Sequence, residues 1–213
     1  MEASFIFNTE IAMNIAKELL TIEAIKLSPK TPFLWASGWK SPIYCDNRLS
    51  LSFPKLRETI TENLVQAINF QFEGVECIAG VATAGIPQGA LIAAALNLPF
   101  VYVRSSAKGH GMTNLIEGKI TKGQKVVVIE DLISTGGSSL KAVADLRENG
   151  FDVLGMAAIF TYGFDVATNN FNQAHCPLVC LSDYSHLITV ANLPESDTKA
   201  LKLWRENPSI WGK

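Results

Sequence analysis

The stretch Val126-Val127-Val128-Ile129-Glu130-Asp131-Leu132-Ile133-Ser134-Thr135-Gly136-Gly137-Ser138-Ser139 decides how this chain is read. Four consecutive apolar residues make a buried strand. Two adjacent acids stand at its carboxyl end. Small residues follow from Ser134 to Ser138, and a helix begins there. Small residues let backbone N–H groups converge on an anion, and the helix N-terminus adds its dipole. Ser134, Thr135 and Ser138 add hydroxyl donors, so this bend is expected to cradle a phosphate. Glu130 and Asp131 would repel a bare phosphate. They need hydroxyl donors or a divalent cation beside them, and ribose hydroxyls suit a carboxylate that accepts two hydrogen bonds. The segment therefore reads as a sugar-phosphate site. It lacks the G-K-[ST] of a Walker loop and the G-x-G-x-x-G of a dinucleotide fold. The plain alternative is a surface turn with solvated acids, but a strand, two acids, a small-residue bend and a helix in that order are far more specific.

Working outward, short apolar runs at Val75–Val81, Phe100–Val103 and Val153–Phe160 read as further buried strands. Helical spacing appears between them, over Pro87–Leu96 and Ser138–Asn149, with Gly150 closing the latter. Two longer helical stripes precede them. One runs from Glu10 to Ile25 with Thr9 as N-cap, the other from Phe53 to Phe72 with Pro54 in its opening turn. Strand and helix in alternation predict an α/β chain with a parallel sheet and right-handed crossovers. Ligands in such sheets sit beyond the carboxyl ends of the strands, here after Val81, Val103 and Ile129. The first forty-odd residues precede the alternation and are expected to form a small hood. The tail after Asp183 reads as one or two helices, one ending near Pro208.

Composition bounds the rest. The chain has 213 residues, 48% of them hydrophobic and 18% charged, enough for one domain with a proper core. Eighteen basic residues against 20 acidic ones give a net charge of −2, which offers no footprint for nucleic acid. The longest apolar stretch, Ala90–Val103, is broken by Asn97 and Pro99, so no membrane span is expected. The opening MEASFIFNTE carries two acids and no base, unlike a secretory or transit segment. Cys45, Cys77, Cys176 and Cys180 are scattered and read as reduced thiols in a cytoplasm. His175 beside Cys176 and Cys180 could hold a metal only with a second ligand pair, and none has zinc spacing.

Two further strand exits carry chemistry. Arg104-Ser105-Ser106-Ala107-Lys108-Gly109-His110-Gly111 leads into Asn114 and Ile116-Glu117-Gly118. Its clustered bases can meet several phosphate oxygens, and its glycines suit a loop that opens and closes. A solvated basic loop is the plain alternative. Gly80-Val81-Ala82-Thr83-Ala84-Gly85-Ile86-Pro87 could present backbone amides to an anion, or could simply be a tight strand-to-helix turn.

The segment Glu130–Ser138 resembles the signature of the type I phosphoribosyltransferases, which bind 5-phosphoribosyl 1-diphosphate (PRPP). With Arg104–Gly118 and Ser37-Gly38-Trp39-Lys40-Ser41-Pro42-Ile43-Tyr44-Cys45-Asp46-Asn47-Arg48, the resemblance spans nearly the whole chain and points to the orotate branch of that family. It implies a parallel sheet flanked by helices as the core over residues 51–213, with an N-terminal hood over residues 1–50. It also implies transfer of phosphoribose from PRPP to orotate, giving orotidine 5′-monophosphate and pyrophosphate. Glu130 and Asp131 would hold the ribose hydroxyls, while Leu132, Ile133, Ser134, Thr135, Gly136, Gly137 and Ser138 would hold the 5′-phosphate. Arg104, Lys108 and His110 would surround the diphosphate, with Lys108 and Asp131 as the catalytic pair. Orotate would meet Ser134 and, from the hood, Lys40, Tyr44 and Arg48, although Arg48 could equally be an ion-pair partner and Tyr44 a packing residue. Mg²⁺ would be held mainly by PRPP, with no direct protein ligand. A homodimer sharing the Arg104–Gly118 loop between subunits is implied, with neither nucleic acid nor membrane as partner.

This chain departs from many relatives at several places. Ser105 replaces a lysine after the loop arginine, and Ala36 replaces a lysine before the Ser-Gly of the hood. Thr83-Ala84 stands for Tyr-Lys, and Thr161-Tyr162-Gly163 stands where an orotate-contacting arginine is found. The other readings are a phosphoribosyltransferase for a purine base and a PRPP-sensing regulator that binds nucleic acid. The hood and loop segments speak against the first, and the charge balance against the second.

Overall fold

A computed structural model describes residues 4–35, 38–105 and 115–211. The chain order begins β1 (Ser4–Ile6), α1 (Thr9–Thr21), β2 (Ile25–Leu27), β3 (Phe33–Leu34), β4 (Lys40–Ser41) and β5 (Ile43–Cys45), then a 3-10 helix (Asn47–Ser52) and α2 (Pro54–Gln71). It continues β6 (Cys77–Val81), α3 (Gly85–Leu96), β7 (Phe100–Val103), β8 (Ile116–Glu117), β9 (Lys125–Ile133), α4 (Gly137–Glu148) and β10 (Asp152–Thr161). It closes with α5 (Asp165–Gln173), β11 (Leu178–Asp183), α6 (Tyr184–Ala191) and α7 (Glu195–Glu206).

The apolar run that opened the sequence argument lies in β9, the middle strand of a seven-stranded sheet ordered β1-β11-β10-β9-β6-β7-β8. Every pairing is parallel except the short β7–β8 edge. Alternation along β9 divides its side chains between two cores. Val127 and Ile129 pack with α1, α2, α3, α6 and α7 on one face. Val126 and Val128 pack with Ala142, Val143 and Leu146 of α4 and Phe171 of α5 on the other. A strand covered on both faces needs apolar residues at successive positions, which is why the run reads V-V-V-I.

The expected helices are present with end shifts. α1 starts one residue earlier than Glu10, because Asn8 rather than Thr9 caps it, its Oδ1 accepting from the Ile11 N–H at 3.1 Å. Gly150 follows α4 at φ +90°, the left-handed position that ends a helix. Of the segment 1–50 expected as a hood, β1 pairs with β11 and α1 buries Ala12, Ile15, Ala16 and Leu19 against the main sheet. The antiparallel ladders β2–β5 and β3–β4 lie apart from that sheet. Trp35 ties these ladders down, its indole N–H donating to the Ile43 carbonyl at 3.2 Å and its ring lying 5.4 Å from Tyr162 and 5.6 Å from Trp204. Among the described residues, no helix is long and apolar enough to cross a membrane.

Candidate active site

The strand expected to stop at Ile129 continues to Ile133, so both acids belong to it. Strand alternation then sends them to opposite faces. Glu130 goes to the α4 side and is 7% exposed. Its Oε2 accepts from Ser139 Oγ at 3.0 Å and its Oε1 from the Asp131 N–H at 3.1 Å. Burial, and then the charge of Asp131, push the Glu130 carboxyl up to about 8. Asp131 goes to the hood side, where burial pushes its carboxyl up although Arg48 acts in the other direction. Such a pair gains from hydroxyl donors or a cation placed beside it.

The bend after β9 is built by its neighbours. Ile133 O accepts from the Tyr162 N–H at 3.1 Å, and Asn170 Nδ2 donates to Thr135 O at 2.9 Å. Gly136 sits at φ +79°, and a Cβ there would lie 2.7 Å from the Phe171 ring. No side chain caps α4, so the first N–H groups of that helix are left to an incoming acceptor. Gly137 and Ser138 are exposed there, Ser134 and Thr135 half-buried. The structure thus brings Glu130, Asp131, Leu132, Ile133 and the bend together as one strand-to-helix unit.

The Gly80–Pro87 turn has a packing reason for its glycines. A Cβ at Gly85 would collide with the Ile129 carbonyl, and one at Gly80 would lie 2.7 Å from Gly85 O. α3 therefore rests directly on β9, beneath the acids. Beyond β7, Arg104 pairs with Glu117 at 3.5 Å, both about three-tenths exposed, and its N–H donates to Leu115 O at 2.8 Å. β7 and β8 close the base of this loop. Arg104, Ser105 and Ser138 line one small cavity of about 90 Å³, so two predicted loops meet. Lys108 and His110 lie outside the described residues.

From the hood side, Arg48 is forked onto Asp46, Nε to Oδ1 at 2.6 Å and Nη2 to Oδ2 at 2.9 Å. That hydrogen-bonded pairing holds the Asp46 carboxyl below the usual range. Tyr44 is 43% exposed, its ring 5.7 Å from Phe33, so core packing does not account for it. Lys40 lies exposed on β4, opposite Leu34. Two contributions have no local signal. Asn47, 1% exposed, donates from Nδ2 to the Asp131 carbonyl at 2.8 Å across 84 positions of sequence. A cavity of about 1010 Å³ has only Thr135 of the predicted bend and Trp39 of the hood on its wall, and the rest comes from Gly163, Phe164, α5, α6, α7 and the residues just after α7. Arg205 of α7 holds that wall, donating to Tyr162 O at 3.2 Å and Gly163 O at 2.8 Å. Sequence reasoning treated α7 only as a tail helix.

Residues 54–187 match the phosphoribosyl transferase domain family. An orotate phosphoribosyltransferase of Cytophaga hutchinsonii is 59% identical over 209 residues, covering 94% of this chain and 100% of that protein. One of Listeria innocua is 55% identical over 207 residues, covering 95% and 99%. The crystal structure of orotate phosphoribosyltransferase from Aeropyrum pernix superposes with a TM-score of 0.74 at 29% identity, covering 82% of this chain and 96% of that one. The chain belongs to the orotate phosphoribosyltransferases, within the phosphoribosyl transferase domain family.

Proposed function

We propose that the protein transfers the phosphoribosyl group of PRPP to orotate N1, giving orotidine 5′-monophosphate and pyrophosphate, in the cytoplasm and as a homodimer. The observation that carries this reading is the placement of Asp131. It lies near the carboxyl end of the central strand, two residues before that strand stops ahead of α4, and its carbonyl is held by Asn47 of the segment that bears Tyr44 and Arg48. A ribose 5-phosphate lying along this unit has its phosphate on the Ser134–Ser138 amides and its hydroxyls on Asp131, while Glu130, turned to the α4 side and bonded to Ser139, backs the bend. Orotate then lies on the hood side, toward Ser134, Tyr44, Lys40 and Arg48.

Breaking the bond from C1 to the diphosphate builds positive charge on the ribose and negative charge on the leaving group. The carboxylate of Asp131 favours the first. Arg104, with Lys108 and His110 from the loop beyond it, favours the second. Groups preplaced for those charges stabilise the transition state more than the ground state. The half-buried carboxyl of Asp131, on the hood side of the strand, is the side chain that would face an ion held chiefly by PRPP itself. Mg²⁺ bound in that way supplies neutralisation of the diphosphate. Loop closure from a neighbouring subunit keeps water from C1.

The test is turnover. The protein is mixed with PRPP and Mg²⁺, and then with orotate, adenine, hypoxanthine or uracil in turn. Pyrophosphate release with orotate alone supports the reading. Release with a purine, or with none of the four, overturns it.

A further inference from the structure

Asn47 is the most completely buried polar side chain that joins the hood to the acid strand, and it uses both ends. Its Nδ2 donates to the Asp131 carbonyl at 2.8 Å, and its Oδ1 accepts from the Cys45 thiol at 3.3 Å. Its own carbonyl accepts from Ser50 Oγ at 2.6 Å, and Ser50 is likewise 1% exposed. Asp46 caps the same turn, accepting from the Arg48 N–H at 3.2 Å. Three neighbouring bonds therefore fix one short turn, and the amide of Asn47 is its tie to β9. The Cys45 thiol fixes which way that amide points. Burial and the charges of Asp131 and Asp46 hold the thiol well above its ordinary pKa, so it stays protonated and keeps donating.

We infer that Asn47 is a positioning residue, which sets the distance between the orotate side of the site and the ribose-binding acid. This rests on the proposed phosphoribosyl transfer to orotate. Tyr44 and Arg48 flank Asn47 within four residues, while Asp131 lies across the bond it makes. An attacking base and an electrophilic carbon held by two separate segments react only when those segments are in register, and small misplacements are costly. Asn47 supplies that register through a bond to a backbone carbonyl, leaving the Asp131 carboxylate to substrate.

The experiment compares wild type, Asn47→Ala and Cys45→Ala in steady-state kinetics, in calorimetric binding of PRPP with Mg²⁺ alone, and in thermal melting. For Asn47→Ala we expect orotate KM to rise and kcat to fall so that kcat/KM drops by about tenfold, the loss of one such hydrogen bond. PRPP affinity measured without orotate stays within about twofold of wild type on the same scale. Cys45→Ala removes only the orienting thiol and leaves a milder defect of the same kind. Wild-type orotate KM and kcat in Asn47→Ala would overturn the assignment. So would a loss of PRPP affinity equal to the loss in orotate KM, which marks general damage to the site. If Asn47→Ala does not fold, an unchanged orotate KM in folded Cys45→Ala overturns it. Wild-type turnover of orotate is read first, so failure of the assigned reaction is separate from failure of Asn47.

Discussion

Replacing Glu130 by Gln tests the electrostatics of the site without touching its shape. Glu130 is 7% exposed, and burial with the neighbouring Asp131 raises its carboxyl from 4.5 to about 8. The sign follows from linkage. A folded pKa above the unfolded one means that the protonated form is preferred in the fold. The stabilisation is complete below about 4.5 and is lost as pH rises through about 8. At about 1.4 kcal/mol per pH unit over that window, ionised Glu130 costs the fold at most on the order of 5 kcal/mol above it. The substituted amide keeps one oxygen to accept from the Asp131 N–H, and Ser139 can turn its hydroxyl to accept from the new NH₂ group. The assay is urea unfolding of both proteins between pH 5 and 9, without ligand. Glu130→Gln should match wild type near pH 5 and exceed it by ~2–4 kcal/mol at pH 9, while binding PRPP more weakly. An equal stability difference at both ends of the range, or a variant less stable at pH 9, would refute the reasoning.

Four further outcomes follow from particular residues. Lys108→Ala, in the loop outside the described residues, should raise the barrier by about 2.7–4 kcal/mol, read as a fall in kcat at saturating substrates. Gly136→Ala forces a side chain into the left-handed region and against Phe171, so it should cost about 1–3 kcal/mol and raise PRPP KM. Gly137→Ala, where a Cβ would meet only Thr135 Oγ1 at 3.9 Å, should leave melting within the range of ordinary surface substitutions. Arg205→Ala strips two donors from the Tyr162 and Gly163 carbonyls, and thermal melting should show a loss of about 2–4 kcal/mol.

The central strand, the helices that flank it and the phosphate bend were legible because each rests on a local rule. V-V-V-I marks a strand buried on both faces, and small residues before a helical stripe mark an open helix start. β1 has three residues, too few for alternation to register. β11 is a six-residue strand beginning right after Pro177, apolar only over its first four residues, and nothing local says that β1 will pair with it. α5 buries only Ala167 and Phe171 among three asparagines and a glutamine, so its stripe is faint. The extension of β9 through two acids was not legible either. Glu130 is held in the interior by the Asp131 N–H beside it and by Ser139, which reaches back from nine positions on. The hood's tie at Asn47 and the wall supplied by Arg205 depend on contacts 84 and 43 positions apart, which no spacing in the sequence encodes.

The most direct measurement is a crystal structure of the protein with PRPP and Mg²⁺. The account predicts the 5′-phosphate within hydrogen-bond reach of the Ser134–Ser138 amides, with the ribose hydroxyls on the carboxylate of Asp131. A phosphate seated elsewhere, or Asp131 turned away from the sugar, would contradict it.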